Sequence, residues 1–327
     1  MKTPQNIIEL QGEIPHHSFN KRLDQSLAEM FPDFSRTKIK QWIEQGDVLL
    51  NGQKNILPKS KVQGGETVVV ATHQVIEVTD QAQSMPLDIT FEDEHIIVVN
   101  KPAGLVVHPG AGNKDNTLLN ALLSHYPEIE KVPRAGIVHR LDKETTGLMV
   151  VAKTIQAQAS LVDQLQQRNM GREYEAIVCG QLIAGGSIDQ PIGRHPSKRT
   201  LMAVRYNGKA AVTHYRIIEK FRAHTHLRVK LESGRTHQIR VHMSHIKHPL
   251  VGDSQYGGRP QFPKKASQPF LDTLRMFKRQ ALHAAELTLS HPSTKTRMSW
   301  QSELPHDFTE LVAMLRQDTL ENQDDVY

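Results

Sequence analysis

A short polar turn between two apolar segments constrains the fold of this chain more than any other feature. The turn lies in residues 136–147, GIVHRLDKETTG, where Val138 precedes it and residues 148–152 resume an apolar run. Apolar runs bounded by turn residues are typical of strands, so the sequence predicts strand, loop, strand. The loop carries Asp142, and an aspartate in such a loop is most often a simple turn former. A functional role for Asp142 therefore depends on what the rest of the chain carries.

Length and composition indicate a globular protein with more than one domain. The chain has 327 residues, of which 38% are apolar and 23% charged, and a chain of this size usually forms several domains. The longest apolar runs are far too short to cross a bilayer, and no secretory signal begins the chain. The single cysteine, Cys179, excludes an internal disulfide and a cysteine zinc site. We therefore expect a cytoplasmic protein with no membrane partner.

The charge of the chain is positive and unevenly distributed. The formal net charge is +5 and the sequence pI is about 9.2, which suits a polyanionic partner. Residues 191–209 hold no acidic residue and five basic ones, Arg194, Lys198, Arg199, Arg205 and Lys209. Residues 317–327 are acidic and contain no lysine or arginine. We predict phosphate contacts for the basic stretch and a solvated, mobile end for the acidic tail.

Residues 18–75 form the first predicted domain, a compact unit. Ser35 is predicted to cap a helix that ends at Gly46, because serine is a favoured helix cap and glycine a favoured terminator. Two strands are predicted after the helix, at residues 47–50 and 67–71. Three apolar residues of the helix share one face, as expected for packing on a core: Ile39, Trp42 and Ile43.

The first turns of this helix are basic. Arg36, Lys38 and Lys40 crowd a helix start, where the helix dipole disfavours cations. A purely structural helix more often carries acidic residues there, whereas cations beside the free amides of a helix start suit a bound phosphate. We therefore predict that these three residues contact RNA, against the alternative of a merely solvated face.

A polar linker at residues 76–86 leads to the second predicted domain, residues 87–316. Its opening segment, residues 96–99, is predicted to be a buried strand, and residues 227–231 alternate between apolar and polar side chains, which is typical of a half-buried strand. Strands outnumber helices, so we predict an α+β fold with a large mixed, mostly antiparallel sheet and flanking helices. A last helix is predicted to begin with a capping box at Asp307.

The loop around Asp142 resembles the catalytic loop of RNA pseudouridine synthases. The residues that carry this resemblance are His139-Arg140-Leu141-Asp142 and Thr145-Thr146-Gly147. Two further segments resemble the same family, REYEA at residues 172–176 and SGRTHQIR at residues 233–240. The resemblance implies a cofactor-free isomerase that converts uridine within an RNA chain to pseudouridine.

The resemblance implies a role for each of three residues. Asp142 matches the catalytic aspartate, which attacks the sugar or assists through a glycal intermediate, and the sequence leaves both routes open. Tyr174 matches a tyrosine that stacks on the target base, and its hydroxyl is a candidate general base. Arg235 matches an arginine that pairs with the catalytic aspartate and fills the gap left by the extruded base. Without the resemblance, Tyr174 is a packing residue and Arg235 a surface arginine or phosphate clamp.

Other segments narrow the resemblance. RLD at residues 22–24, SRTKI at 35–39 and GDV at 46–48 together resemble the alpha-L RNA-binding module, which is common at the front of these enzymes. VHPGAGN at 107–113 and RHPSKRT at 194–200 resemble the branch of the family that modifies the large ribosomal subunit. The resemblance to that branch implies a target in a cluster of uridines, in the stem-loop that bridges the subunits near the decoding centre.

We therefore expect large-subunit ribosomal RNA or a pre-ribosomal particle as the partner, and a monomer. Flipping a base costs least outside a continuous duplex, so an RNA loop is the expected substrate. Two alternatives stay open: a non-catalytic RNA-binding or ribosome-assembly factor, and a synthase that acts on other ribosomal uridines or on transfer RNA. The residues predicted to contact RNA are Arg140, Arg36, Lys38, Lys40, Arg194, Lys198 and Arg199.

No cofactor site and no metal site is predicted. Gly110 and Gly112 form only a fragment of a glycine-rich loop. Cys179 ends an apolar segment and is predicted to be a buried small side chain rather than a nucleophile. Four histidines lie close in sequence without a cysteine, and their spacing scatters them around a helix: His237, His242, His245 and His248.

Overall fold

The chain folds into two compact units, residues 1–79 and residues 80–327, called here the N-terminal and C-terminal units. The computed structural model describes residues 6–32, 34, 36–74, 81–110, 112–198, 200–258 and 262–322. Five of the eleven residues of the predicted linker, 76–80, lie outside this part of the chain. Within the described ranges, no helix is long and apolar enough to cross a bilayer.

The N-terminal unit is an antiparallel sheet packed against two helices. Its four strands lie in the order β1-β4-β2-β3, and each neighbouring pair is antiparallel. The elements are α1 (Leu23–Met30), α2 (Arg36–Gln45), β1 (Asn6–Glu13), β2 (Val48–Leu50), β3 (Gln53–Lys54) and β4 (Thr67–Gln74).

Three apolar residues of α2 form the buried face that the sequence predicts. Ile39, Trp42 and Ile43 pack in one cluster with Val68 and Val70 of β4. All five side chains are removed from water, and burial of apolar surface is the main favourable term for a unit of this size. The predicted helix face is therefore confirmed.

Two boundaries were predicted for the N-terminal unit, the end of α2 and the start of the domain, and their outcomes differ. Gly46 follows α2 with a φ of +79°, a left-handed conformation that glycine adopts without strain, so the predicted helix end is confirmed. The predicted cap, Ser35, lies outside the described residues. Strand β1 precedes residue 18, the predicted start of the domain, and pairs with β4 along its full length. Its sequence carries no turn signal that would have marked it.

The C-terminal unit is built on a nine-stranded sheet. Eight strands lie in the order β5-β6-β7-β14-β8-β13-β12-β9, β15 pairs with β14, and β10 and β11 form a separate hairpin. The strands are β5 (Ile89–Glu92), β6 (Ile96–Lys101), β7 (Thr146–Ala152), β8 (Gly171–Cys179), β9 (Gly186–Asp189), β10 (Ile192–Arg194), β11 (Met202–Val204), β12 (Val212–Lys220), β13 (His224–Leu231), β14 (Leu282–Ser290) and β15 (Arg297–Gln301). The helices are α3 (Leu118–His125), α4 (Ile155–Gln166), α5 (Gln238–His245), α6 (Gln268–Met276) and α7 (His306–Glu321).

The sheet is mixed but mostly antiparallel. Among its described strands, β7 and β14 pair in parallel, and the other neighbours pair antiparallel. Helices pack beside the sheet, and α6 and α7 share an apolar cluster. The predicted α+β fold with a large, mostly antiparallel sheet is confirmed.

The centre of the sheet is buried on both faces. Ile97 and Met149, on β6 and β7, belong to the cluster on one face, whereas Ile96 and Leu148 belong to the cluster on the other. Successive side chains of a strand point to opposite faces, so a strand covered on both sides needs apolar residues throughout. This explains the continuous apolar runs in the sequence.

The parallel pair of β7 and β14 anchors the loop that carries Asp142. Thr146 is the partner of His283, and Gly147 is the partner of Ala284. The Thr146 hydroxyl oxygen lies 2.8 Å from Nδ1 of His283. Gly147 has a φ of +110°, and a Cβ there would approach the Ala284 carbonyl oxygen to 2.3 Å. Only glycine permits this close approach of the two strands.

The segment before the loop that carries Asp142 is not a strand. Ile137 makes only an isolated bridge with Val151, and a 3-10 helix at Pro133–Gly136 precedes it. Arg134 and Ala135 have φ values of 57° and 47° in that turn. The prediction of a strand on this side is wrong, because the left-handed residues turn the chain before a ladder forms.

The last helix begins differently from its prediction. α7 starts at His306, and its N-cap residue, Pro305, offers no side-chain hydrogen bond. The Asp307 carboxylate instead accepts two hydrogen bonds from Arg279, at 2.6 and 2.8 Å. The predicted capping box is therefore wrong, because the arginine competes successfully for the carboxylate.

The predicted acidic tail also starts too early. α7 continues to Glu321, past the predicted boundary at residue 317. Asp318 is buried and lies 2.7 Å from a guanidinium nitrogen of Arg222. This buried ion pair fixes the helix end, so the prediction of a solvated, mobile end is wrong up to residue 321.

Candidate active site

Asp142 lies in the polar loop that enters β7. Its carbonyl oxygen accepts a hydrogen bond of 3.0 Å from the Thr145 N–H, which makes the loop a tight turn. The Asp142 side chain is partly exposed and lines two adjoining cavities of the C-terminal unit. The loop therefore presents the carboxylate to incoming ligands.

A buried lysine fixes this loop from behind. Nζ of Lys101 donates to the carbonyl oxygens of Pro102, Leu105 and Lys143, at 2.8, 2.9 and 2.9 Å. Burial lowers the pKa of Lys101 to about 7. The three carbonyls match the three donors of an ammonium group and favour its charged form. Because Lys143 follows Asp142, this lysine holds the backbone beside the carboxylate.

Arg240 forms the ion pair with Asp142. Nη1 of Arg240 lies 2.9 Å from Oδ2 of Asp142. Arg235, for which this pairing was predicted, is exposed, and its Nε donates to the Ala210 carbonyl oxygen at 3.1 Å. Both arginines belong to the segment SGRTHQIR, but α5 begins between them and turns only Arg240 inward. The predicted pairing of Arg235 is wrong, although Arg235 does line the cavity.

A second carboxylate holds Arg240 in place. Asp253 is buried, and its two oxygens accept from Nε and Nη2 of Arg240 at 2.7 and 2.9 Å. Gln255 accepts another bond from Nη2 at 2.8 Å. Burial alone would lower the pKa of Arg240, but hydrogen bonds and charge from Asp253 and Asp142 raise it overall. The guanidinium therefore stays charged and aims Asp142 at the cavity.

His237 is the other neighbour of the Asp142 carboxylate. Its Nε2 lies 3.8 Å from Oδ1 of Asp142, and its Nδ1 lies 2.7 Å from the Tyr256 hydroxyl oxygen. That oxygen accepts the Met202 N–H at 2.9 Å, which leaves the Tyr256 O–H to donate to Nδ1. Burial lowers the pKa of His237, so a neutral ring carries its proton on Nε2, toward Asp142.

A cavity of about 320 Å³ opens beside Asp142. Tyr174 of β8 forms part of its wall and is buried. Apolar side chains form other parts of the wall, among them Leu231, Ile239 and Leu282. A volume at the small end of ligand pockets, with one aromatic wall, suits a single planar base.

The surroundings of Tyr174 favour a neutral phenol. Burial raises the pKa of Tyr174, the charge of Arg172 opposes this rise, and the charge of Asp142 adds to it. A general base at neutral pH would need a shift in the opposite direction. The site therefore offers the ring of Tyr174 for stacking rather than its hydroxyl as a base.

A wider cavity, of about 700 Å³, adjoins the first at Asp142. Arg134 and Arg140 line both cavities, and both side chains are exposed. Cations at the mouth of a cavity suit the phosphates of a nucleic acid. The structure thus brings Arg140 to Asp142, as the sequence motif places it.

The predicted RNA contacts of the N-terminal unit already have protein partners. Nη2 of Arg36 lies 2.8 Å from Asp24 Oδ2, and Nζ of Lys40 lies 3.4 Å from Glu44 Oε1. Lys38 also has a partner. Arg36 and Lys40 remain exposed, so these pairs leave their cations accessible to a phosphate.

The basic stretch of the C-terminal unit surrounds the hairpin of β10 and β11. Arg194 ends β10 and is exposed, and Lys198 is exposed in the turn that follows. Arg199 lies outside the described residues. Because Met202 of β11 donates to Tyr256, and Tyr256 to His237, a hydrogen-bonded path joins this hairpin to the neighbourhood of Asp142.

Sequence reasoning missed several residues of the site, among them Arg240, His237 and Asp253. Arg240 and His237 stand in a segment that the sequence singles out, but their side-chain directions depend on where α5 begins. Asp253 stands in a loop with no recognisable pattern. Its only sequence signal is a charged residue two positions after the apolar pair Leu250 and Val251.

Comparisons with known proteins agree on one family. The family described as RNA pseudouridylate synthase matches residues 95–245, and the S4 domain matches residues 21–68. The chain is 58% identical over 319 residues to Ribosomal large subunit pseudouridine synthase D of Escherichia coli (strain K12), covering 98% of each chain. It is 57% identical, with the same coverage, to the protein of that name from Haemophilus influenzae. Human RNA Pseudouridylate Synthase Domain Containing 4 matches with a TM-score of 0.55 and 26% identity, over 70% of this chain and 92% of that chain.

Proposed function

Because this chain belongs to the RNA pseudouridine synthase family, we propose that it converts uridine to pseudouridine in large-subunit ribosomal RNA. The chain is an RNA-modifying isomerase with an N-terminal S4 domain. The names of relatives 57–58% identical over 98% of the chain support this substrate. We further propose that the target is the uridine cluster in the stem-loop that bridges the subunits near the decoding centre.

One observation carries the mechanism: Asp142, fixed by Arg240, faces a cavity sized for one base and walled by Tyr174. The reaction breaks the bond between C1′ and N1, turns the base and joins C5 to C1′, while C5 loses its proton and N1 takes up a proton. We infer that Asp142 either attacks C1′ or removes the C2′ proton to give a glycal. Fixing the carboxylate beforehand lowers the barrier, since little reorganisation is needed during the reaction.

The other two predicted catalytic residues take supporting roles in this proposal. Tyr174 stacks on the flipped uracil, which its buried ring and raised pKa favour over proton removal. Arg235, on the cavity rim, fills the space that the flipped base leaves in the RNA. Arg240 takes the carboxylate pairing that was predicted for Arg235.

RNA binding in this proposal is distributed over both units. Arg140 and the exposed cations of the hairpin, Arg194 and Lys198, contact phosphates near the target. The S4 domain adds contacts through Arg36, Lys38 and Lys40, and Arg199 completes the proposed set. We propose that the protein acts as a cytoplasmic monomer on ribosomal RNA or a pre-ribosomal particle, without a cofactor or a metal.

The test is a pseudouridine map of all ribosomal and transfer RNA from cells that lack the gene. The map is repeated after complementation with wild type, with Asp142→Ala, and with Asp163→Asn as a control carboxylate on the surface of α4. We expect the bridging stem-loop to lose its pseudouridines and to regain them with wild type and Asp163→Asn alone. Purified Asp142→Ala is expected to keep the wild-type Kd for the RNA.

Other outcomes select the alternatives. Loss of pseudouridine elsewhere in ribosomal RNA, or in transfer RNA, keeps the chemistry and reassigns the target. A map unchanged by deletion, together with no activity of the purified protein on any of these RNAs, would leave only the non-catalytic RNA-binding factor. An active Asp142→Ala protein would refute the assignment of the catalytic carboxylate.

A further inference from the structure

A buried arginine in the base-sized cavity has no partner among the residues that the structure describes. Arg172 is only 7% exposed. Its Nε is buried and has no hydrogen-bond partner among the described residues. In the described part of the chain, its guanidinium forms no hydrogen bond and no ion pair. A buried charge without a partner is strongly unfavourable, and native proteins seldom keep one. Such a group calls for an explanation beyond packing.

The position of Arg172 makes a ligand the natural partner. It lies on β8 two residues before Tyr174, so both side chains emerge from the same face of the strand. Both line the cavity together with Asp142. Gly234 lies against the guanidinium, and a Cβ at this position would come within 2.7 Å of Nη1. The absence of a side chain at Gly234 leaves this end of the arginine open.

The positive charge of Arg172 acts on His139, a residue of the cavity wall. Burial first, and then the charge of Arg172, lower the pKa of His139 to about 3. Nε2 of His139 accepts the Val150 N–H at 3.1 Å, as a neutral imidazole does. A neutral histidine cannot compensate the guanidinium. Among the described residues that line this cavity, Asp142 is the acidic one, but Arg240 already binds it.

The proposed reaction creates an anion in this cavity. When the C1′–N1 bond breaks, its electron pair stays on the base, which becomes a uracil anion with charge shared between N1 and the carbonyl oxygens. In one route an ester bond forms between C1′ and Asp142, and in the other Asp142 takes the C2′ proton as a double bond forms. Both routes leave the same anion beside Tyr174, and neither needs an oxidant or a reductant.

We propose that Arg172 is a further catalytic residue, which holds the detached uracil as an anion through a carbonyl oxygen while the base turns. This inference rests on the proposed function. A fixed cation placed where charge develops stabilises the transition state more than the neutral substrate. The guanidinium also binds the free base, so the base stays in the cavity until C5 reaches C1′.

The test compares Arg172→Met, which keeps the length of the side chain, with Arg172→Lys, which keeps the charge. Arg297→Met is the matched control, because Arg297 is an exposed cation on β15 outside both cavities. Each protein is assayed in single turnover on the same RNA stem-loop, with Kd for the RNA and Tm measured in parallel. A second substrate carries 5-fluorouridine at the target, whose freed base is a weaker base and needs less stabilisation.

We expect Arg172→Met to react about 100-fold more slowly in the chemical step, the usual scale for loss of one charge-stabilising donor. Its Kd should stay at the wild-type value, and its Tm should be unchanged or higher, since an unpaired buried charge is removed. Arg172→Lys should recover most of the rate, and Arg297→Met should match wild type. The fold-loss of rate in Arg172→Met should be smaller on the 5-fluorouridine substrate than on the uridine substrate. The rate on the former is measured as the disappearance of 5-fluorouridine.

Several results would overturn the inference while leaving the proposed function intact. A folded Arg172→Met protein that reacts at the wild-type rate is one. An equal loss on uridine and 5-fluorouridine, or a loss confined to Kd, would mean that Arg172 binds an RNA phosphate instead. A fall in Tm shared with an equally slow Arg172→Lys would mean a structural role. A wild-type protein that converts no uridine would overturn the proposed function and this inference together.

Discussion

Two arginine–aspartate clusters of this molecule have opposite stoichiometry. In the N-terminal unit, one carboxylate, Asp24, binds two arginines: Nε of Arg22 lies 2.9 Å and Nη2 of Arg36 2.8 Å from its oxygens. In the C-terminal unit, one arginine, Arg240, binds two carboxylates, Asp142 and Asp253. The surplus charge is therefore positive in the first cluster and negative in the second.

In both clusters the surplus group is the exposed one. The side chains of Arg22 and Arg36 are 32% and 45% exposed, against 3% for Asp24. Asp142 is 17% exposed, against none for Asp253. The buried member fixes the geometry, and the exposed member is left for a ligand. The same type of ion pair thus leaves exposed cations in one unit and a partly exposed carboxylate in the other.

The largest effect is expected from breaking the second cluster at its centre. Arg240→Met leaves two carboxylates without their cation, one of them fully buried, which typically costs about 3–5 kcal/mol of unfolding free energy. Pseudouridine formation should be lost as well, because Asp142 is no longer held. Urea unfolding and single-turnover assays check both. A stable and active Arg240→Met protein would contradict this account of the cluster.

Arg172, which has no carboxylate partner among the described residues, predicts a pH dependence of the unfolding free energy. Burial and Arg172 lower the pKa of folded His139 to about 3, against about 6.5 for an unfolded chain. Between these values the unfolded state takes up a proton and the folded state does not. The unfolding free energy should therefore fall as pH decreases from 6.5, by up to about 1.4 kcal/mol per pH unit.

The measurement is urea unfolding at pH 6.5, 5.5 and 4.5, each value about one pH unit below the last so that the slope is read directly. His139→Gln should flatten the slope, since it removes the proton-binding group. His306→Gln, an exposed histidine at the start of α7, should keep the wild-type slope. Equal slopes in wild type and His139→Gln would show that the folded His139 titrates as in an unfolded chain.

Breaking the first cluster should have a smaller effect, lowering the stability of the protein while raising its affinity for RNA. Asp24→Asn removes the carboxylate but leaves Arg22 and Arg36 exposed enough to be hydrated, so the cost should be about 1–2 kcal/mol. Affinity for RNA should rise, because two cations lose their internal partner. Thermal unfolding tests the loss of stability, and salt-dependent RNA binding tests the gain of affinity. A fall in affinity would mean that Asp24 positions the arginines for RNA.

The smallest expected effect lies on the exposed face of α2. Lys40→Gln removes a surface pair with Glu44, which contributes about 0.3–0.5 kcal/mol to stability. If Lys40 contacts a phosphate, the slope of log Kd against log salt should decrease by about one. Glu44→Gln, which frees the same lysine, is the matched control and should not reduce the slope. An unchanged slope in Lys40→Gln would remove this residue from the RNA contact set.

Short-range pattern predicted the elements that carry Asp142 and Tyr174, whereas their roles were implied by the resemblance to a family. Asp142 stands in a polar turn before an apolar strand, and Tyr174 in an alternating strand. The buried face of α2 and the continuous apolar strands were predictable from pattern as well. Where periodicity decides which side of an element is buried, the sequence is sufficient.

The pairing of Arg240 could not be predicted in the same way. Two arginines five positions apart flank the start of α5, and the helix start decides which one points inward. The group that holds Arg240, Asp253, comes thirteen residues later in a loop. The buried Asp318 at the end of α7 is a similar case, since its partner, Arg222, is 96 residues away. Such pairs follow from three-dimensional packing, not from spacing along the chain.

The pairing of β7 with β14 sets the order in which the parts of this protein can fold during synthesis. Thr146 and His283, which meet in that junction, are 137 residues apart in the chain. Synthesis proceeds from the N-terminus, so the S4 domain can fold while the loop of Asp142 still lacks its anchoring strand. Contacts this distant also close slowly, because a long loop must be ordered first. A nascent chain therefore gains the capacity to hold RNA well before it gains the capacity to modify it.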